Sequence, residues 1–368
     1  MIKNLKLFIL SIIFFLIFLY DFDNGLTDYL FLAASLLLFG FSFIQKKISD
    51  YLFIVTTTTY SFLLIYSFFW SPTNQAENYF ITDEILGYKL KPNINVTFDD
   101  NIRKGVIKTN SLGYRDDEFI SNSNPNIVLL GDSMTFGHKV DQKNNLDKQI
   151  EKLCGNVNAH NLGVGGYGLP GIIDSYKRYN FDHFHTIYFF YINDLREDNF
   201  TVHQNSFTRD GYIIFNGKDK TDEEITKILN LTKENEKKFS HFKLRYFFMA
   251  LKNYLASIGL INLDKELNYF PFGGYSDKST MEGIDLTLKL RELAYSKKSN
   301  FTVVILPSVR SINAQSYPKQ VQKYLENISS KVRVIDPLKK LIQSDYIYYD
   351  GHLSEKGMKK IAYEVCDL

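Results

Sequence analysis

Two short stretches hold the residue types that acyl chemistry on a serine requires. Gly131-Asp132-Ser133 follows the apolar run Asn126-Ile-Val-Leu-Leu, and Asp350-Gly351-His352 lies near the far end of the chain. A serine hydroxyl becomes a useful nucleophile when a base accepts its proton and hydrogen-bond donors hold the oxyanion that forms. Ser133 is the candidate nucleophile, its own N–H being one donor. Gly165-Gly166 lets the backbone approach a ligand closely and offers a second N–H. Asn193, in Tyr191-Ile-Asn-Asp-Leu195, offers a side-chain amide as the third. His352 is the candidate base, just ahead of Ser354, which has the character of a helix N-cap. Asp350 stands two residues earlier, and in an extended segment alternate side chains share a side. It is therefore placed to hold the imidazole tautomer and to stabilise the imidazolium.

These groups converge only if the chain folds as an α/β sheet. Apolar runs at 126–130, 157–164, 186–191, 301–306 and 332–335 alternate with helical stretches, the pattern of a parallel sheet covered on both faces. A helix ending near Leu153 follows the first run, and 354–366 closes the domain as a helix. Ser133, Gly166 and Asn193 then follow the first three strands at the carboxyl edge, where open α/β sheets place their chemistry. A helix beginning at Ser133 would add free N–H donors and positive potential there. The order is interrupted at about 196–278. The interruption opens with a hairpin, 212–215 turning at Asn216-Gly217, and passes to a charged helix from Thr221. At 239–258 apolar residues then recur at helical spacing, which suits a helix packed over the sheet better than one lying on a membrane surface. Between residues 71 and 125 short β-like runs at 95–98 and 105–109 predict a small β-rich neck. Within it Tyr114-Arg115-Asp116 reads as a loop held by a structural arginine pair rather than as a substrate contact.

Each motif alone also has an ordinary reading as a turn or a cap; the weight rests on four of them in order. Taken together they resemble the SGNH or GDSL hydrolases. Gly-Asp-Ser133 is similar to that family's first block, and Asn161-Leu-Gly-Val-Gly-Gly166 to the second, with Gly166 at the oxyanion glycine. Tyr191-Ile-Asn-Asp194 resembles the third, with Asn193 the oxyanion asparagine, and Asp350-Gly-His352 the last. The resemblance runs from about residue 126 onward, less the interruption. It implies a flavodoxin-like three-layer α/β/α sandwich and an esterase or acyltransferase using Ser133, His352 and Asp350, with no cofactor and no metal. The family more often has two residues between acid and base, where this chain has only Gly351, so a backbone carbonyl could orient the imidazole instead of Asp350. Ile192 stands where many members carry glycine.

Segments 7–20, 29–44 and 51–70 are almost wholly apolar and read as three transmembrane helices. Lys3, Lys6, Lys46 and Lys47 fall on one side, Asp21, Asp23 and Asp28 on the other, so the positive-inside rule leaves everything after Trp70 outside the cytoplasm. The expected organisation is a membrane region at 1–70, a neck at 71–125 and a hydrolase domain at 126–368. A net charge of +2, with 23% charged residues, gives no field that favours nucleic acid. Asp182-His183-Phe184-His185 lacks the further ligands a metal needs, and 163–168 lacks the spacing of a dinucleotide loop. Cys154 and Cys366 both close helices at the lower edge of such a sheet, leaving a disulfide and two buried thiols as alternatives. The function expected is an outward-facing esterase or O-acyltransferase acting on acyl groups, acetyl above all, of a surface carbohydrate or lipid. Acyl transfer would need a multi-span protein to deliver the donor. The rival is a non-catalytic module that binds glycans or a partner.

Overall fold

A computed structural model of the chain describes residues 79–99, 103–119, 124–237, 275–347 and 350–366, together with Ile9. The three apolar segments 7–20, 29–44 and 51–70 and the helical stretch 239–258 lie outside the described residues. Among the described residues no helix is long and apolar enough to cross a membrane. All of them except Ile9 belong to one compact unit, Thr73–Phe239 with Asn253–Leu368.

Eleven strands are described. Two antiparallel hairpins come first: β1 (Phe80–Asp83) with β2 (Gly87–Leu90), then β3 (Asn95–Asp99) with β4 (Lys104–Lys108). The main sheet takes β5 (Asn126–Leu130), β6 (Asn158–Asn161), β7 (His185–Tyr191), β10 (Asn300–Leu306) and β11 (Arg333–Ile335), all parallel, in the order β11-β10-β7-β5-β6. Numbered by their place in this sheet, the strands run 2-1-3-4-5, the flavodoxin-like order. The chain reverses its direction of sheet growth between β5 and β7, and ligands bind at such a switch point. The central strands are buried on both faces, as continuous apolar runs require.

The helices are α1 (Ser133–Phe136), α2 (Leu146–Cys154), α3 (Leu169–Arg178), α4 (Val202–Asn205), α5 (Asp222–Lys237), α6 (Asp277–Ser296), α7 (Val309–Ala314), α8 (Lys319–Ile328) and α9 (Glu355–Cys366). Helix α2 packs against α9, and α6 packs against both α3 and α8. Cys154 and Cys366, the last residues of α2 and α9, form a disulfide with Cα atoms 5.0 Å apart. Of the two alternatives open in the sequence, the bonded one holds.

Three local expectations are corrected. The helix after β5 is not continuous: α1 is a single turn ended by Gly137 in the left-handed conformation, and α2 starts only at Leu146. The hairpin in the interruption pairs β8 (Phe207–Arg209) with β9 (Tyr212–Ile214) and turns at Asp210-Gly211, both at positive φ, not at Asn216-Gly217. Asp-Gly suits the tight two-residue turn that matches strand twist. The β1–β2 hairpin was not anticipated. Phe80, Leu86, Tyr88 and Leu90 from it, with Ile107 of β4, join the same apolar cluster as the sheet.

Candidate active site

Four segments meet at the carboxyl edge of the sheet. β5 delivers Ser133 through Gly131-Asp132. Asp132 caps the single turn of α1, its Oδ1 accepting from Met134 N at 2.8 Å. One helical turn has little macrodipole, so the electrostatic help expected from a longer helix reduces to local N–H groups. After β6, Asn161 donates from Nδ2 to Thr135 O at 2.9 Å and accepts from Gly163 N at 2.9 Å, fastening the glycine-rich loop to α1. That loop passes so close that a Cβ on Gly165 would lie 3.9 Å from the Cβ of Ser133.

β7 runs on past Leu130, the last paired residue of β5, and leads into the short turn Ile192–Leu195 that carries Asn193. Asn193 Nδ2 donates to Asp132 Oδ2 at 2.8 Å, and its backbone carbonyl accepts from Asn199 Nδ2 at 2.7 Å. A primary amide has two N–H groups, so one bond to Asp132 fixes the plane and leaves the second donor. Burial raises the Asp132 carboxyl above its usual range, while the Asn193 and Met134 hydrogen bonds pull against that rise. Asp194, fully buried, accepts from Tyr188 Oη at 2.7 Å and Tyr191 N at 3.0 Å. Burial and the nearby Asp132 push its carboxyl well up.

His352 Nε2 lies 2.8 Å from Ser133 Oγ. Its Nδ1 hydrogen-bonds Asp350 Oδ1. The serine, imidazole and carboxylate thus form one continuous chain. The route by which acid and base come together differs from the extended segment expected. Asp350 N and Gly351 N both donate to Ile347 O, at 3.1 and 2.8 Å, and Gly351 has φ +87° with open space around it. A tight turn through a residue that can take positive φ brings the two side chains onto one side. The ends of the turn are tied by Ile347 N to His352 O and Ser354 N to Asp345 O, both at 2.8 Å. Helix α9 then begins at Glu355 with the Ser354 hydroxyl near the Gly357 N–H, as expected of an N-cap.

Asp350 carries more than the imidazole. Lys139 Nζ is 3.1 Å, and His138 Nε2 3.7 Å, from its Oδ2. Burial pushes the Asp350 carboxyl up, but the hydrogen bond and charge of His352, with His138 and Lys139, outweigh it and hold the group far below the usual carboxylate range. His138, Asp350 and His352 are also, among the described residues, the group whose potential metal-ligand atoms lie within 4.8 Å of one another. The ammonium of Lys139 already faces that carboxylate, so its charge has a protein partner.

Sequence reasoning missed several residues here. Tyr88 of β2, wholly buried, donates from Oη to Gly165 O at 3.1 Å and stands beside Gly166. Phe215, just after β9, keeps 47% of its surface exposed; a Cβ on Gly166 would lie 3.4 Å from its ring. Neither carries a sequence signal, because both arrive from hairpins distant along the chain. His138 and Lys139 were visible only as the residues following Gly137. Arg115 has the structural part expected of it: fully buried, it donates to the carbonyls of Phe136, Gly137 and Val140. Asp116 pairs with Lys148 at 2.8 Å. In the rejected metal motif, His183 Nε2 bonds Tyr176 Oη at 2.6 Å and His185 Nε2 bonds Thr302 Oγ1 at 2.9 Å, so these rings serve packing.

No protein-family model matches the chain, and no curated protein sequence does. Similar solved structures include a member of the lipolytic protein G-D-S-L family from Veillonella parvula, 14% identical, covering 66% of this chain and 97% of that one with a TM-score of 0.35. A psychrotrophic esterase from Pseudoalteromonas is 11% identical, covering 66% and 96%, with a TM-score of 0.34. An acetyl xylan esterase from the rumen bacterium Butyrivibrio proteoclasticus is 11% identical, covering 68% of this chain and 64% of that one, with a TM-score of 0.35.

Proposed function

We propose that this chain is an SGNH-type serine hydrolase, anchored in the cell membrane by residues 1–70 with its catalytic domain outside the cytoplasm. In this reading it acts on ester-linked acyl groups, acetyl above all, of a surface carbohydrate or lipid. The observation that carries the chemistry is the unbroken chain from Ser133 Oγ through His352 Nε2 and Nδ1 to Asp350. His352 takes the Ser133 proton as Oγ attacks the ester carbonyl. The N–H groups of Ser133 and Gly166 and the free amide N–H of Asn193 receive the oxyanion. Protonated His352 then gives its proton to the departing alcohol, leaving an acyl-Ser133 ester. Water completes hydrolysis by the same path in reverse. A sugar hydroxyl would complete transfer, with a multi-span partner supplying the acyl donor. No cofactor or metal enters this scheme.

Phe215 offers an exposed aromatic wall beside Gly166, on which the apolar face of a sugar ring or an acyl group can rest. The test is labelling of the full-length protein by a fluorophosphonate probe, together with acetate release from acetylated surface polysaccharide. Both are expected for the natural protein and absent in Ser133→Ala. Failure of the natural protein to label would favour a glycan- or partner-binding module on the same fold.

A further inference from the structure

We infer that Lys139 is a positioning residue that holds Asp350 in place as the acid of the Ser133–His352–Asp350 chain, standing in for the constraint that a longer acid–base connection would provide. The inference rests on the serine-hydrolase reading of that site and goes beyond it.

The problem the geometry has to solve is local. Asp350 and His352 are joined by one residue, Gly351, at φ +87°; its N–H is held by Ile347 O, but nothing lies within 4 Å of where a Cβ would stand. A carboxylate on such a turn needs a second anchor. Its two oxygens are divided accordingly: Oδ1 bonds His352 Nδ1, and Oδ2 faces Lys139 Nζ at 3.1 Å. Both Lys139 and Asp350 side chains are mostly shielded, 20% and 13% exposed, so the pair is less screened than a surface ion pair. His138 adds a wall, its ring centroid 4.7 Å from that of His352.

The anchor is itself built rigidly. Gly137 N and His138 N both donate to Ser133 O at 3.1 Å, so the loop is continuous with the turn that carries the nucleophile. Arg115 donates to Phe136 O at 3.0 Å and Gly137 O at 2.6 Å and also reaches Val140 O. Arg103 Nε donates to Lys139 O at 3.0 Å, and its guanidinium pairs with Glu355 at the start of α9. Nucleophile and acid are therefore referenced to a single loop, and the base is strung between them. This gives the buried Arg115 a purpose: it is the post on which that loop is fixed.

The charged and titratable groups around His352 and Asp350 are Lys139 and His138 from this loop, Asp132 below Ser133, and Tyr191 at the end of β7. Among them Lys139 is the cation set against the Asp350 oxygen that His352 does not engage, so its removal takes away the group that holds that oxygen.

The experiment uses purified full-length protein, p-nitrophenyl acetate turnover and the rate of fluorophosphonate labelling. Lys139→Met is expected to lower kcat about tenfold with KM within twofold. Lys139→Arg restores most of kcat. In the double variant Lys139→Met/Asp350→Asn the lysine change costs much less than it does alone, because the carboxylate it positions is absent. A Lys139→Met protein with natural kcat, a Lys139→Arg protein no better than Lys139→Met, or a loss that simply multiplies with that of Asp350→Asn would overturn the inference while leaving the esterase reading intact. A natural protein that neither labels nor turns over substrate would overturn both.

Discussion

Replacing Asp350 by Asn probes the site most directly, since it keeps shape and removes charge. Three effects follow from the geometry. The carboxylate that accepts from His352 Nδ1 becomes an amide, which can donate to that nitrogen and so favour the tautomer with its proton on Nε2, the atom 2.8 Å from Ser133 Oγ. The imidazolium formed in the transition state loses a counter-charge at about 4 Å. At an effective dielectric of about 20 that is worth about 4 kcal/mol, or roughly a thousandfold in rate. Lys139 and His138 are also left facing a neutral group in place of the carboxylate. We therefore expect kcat to fall about 10³–10⁴-fold, close to the loss in His352→Ala, with KM little changed. The assay is kcat and KM for p-nitrophenyl acetate, with thermal unfolding as a check on folding. A folded Asp350→Asn protein within tenfold of the natural rate would refute the reasoning. It would mean that another group, such as a backbone carbonyl, orients the imidazole.

Asn193→Ala should lower kcat about 10²–10³-fold with KM nearly constant, because in the proposed mechanism the amide that Asp132 orients donates to the developing oxyanion; steady-state kinetics reads this, and an equal rise in KM would point to substrate binding instead. Reducing the Cys154–Cys366 bond, or changing both residues to Ser, releases a closure of 212 residues. Chain entropy values that closure at up to about 5 kcal/mol, so thermal unfolding should come at least several degrees lower with reductant, and coincident melting curves would contradict it. Burial depresses His160 and His185 to about 4, below the usual imidazole value. The unfolded chain therefore binds more protons than the folded one, and stability is lost as pH falls from about 6.5 through about 4. Denaturant titrations across that range should show the decline, and it should shrink in His185→Gln.

Much of this protein is legible in its sequence. The five expected strands are β5, β6, β7, β10 and β11 within a few residues; β5, β7 and β10 stand out because a strand buried on both faces is largely apolar, whereas β6 (Asn158–Asn161) and β11 (Arg333–Ile335) are short and partly polar and are legible only from the alternation with helices. Where local chemistry was ambiguous, the reading slipped. Asn216-Gly217 and Asp210-Gly211 are both turn formers, and β8 pairing decided between them. The run after Ser133 looked like one helix, but Gly137 and the carbonyls claimed by Arg115 end it after a turn.

Residue order and type by themselves determined which groups could take part: one hydroxyl, one imidazole, one carboxylate and an amide, each set just beyond a strand or before the last helix. Only the tertiary structure decided how they meet. The strand order 2-1-3-4-5 puts Ser133 at the switch point, and the turn at Gly351, not an extended segment, aligns Asp350 with His352. Tyr88 and Phe215 join the site from elements whose proximity no local pattern encodes, because side-chain juxtaposition across a sheet edge depends on crossovers and packing rather than on sequence spacing, and Lys139, though close to Ser133 in sequence, meets Asp350 only through the fold.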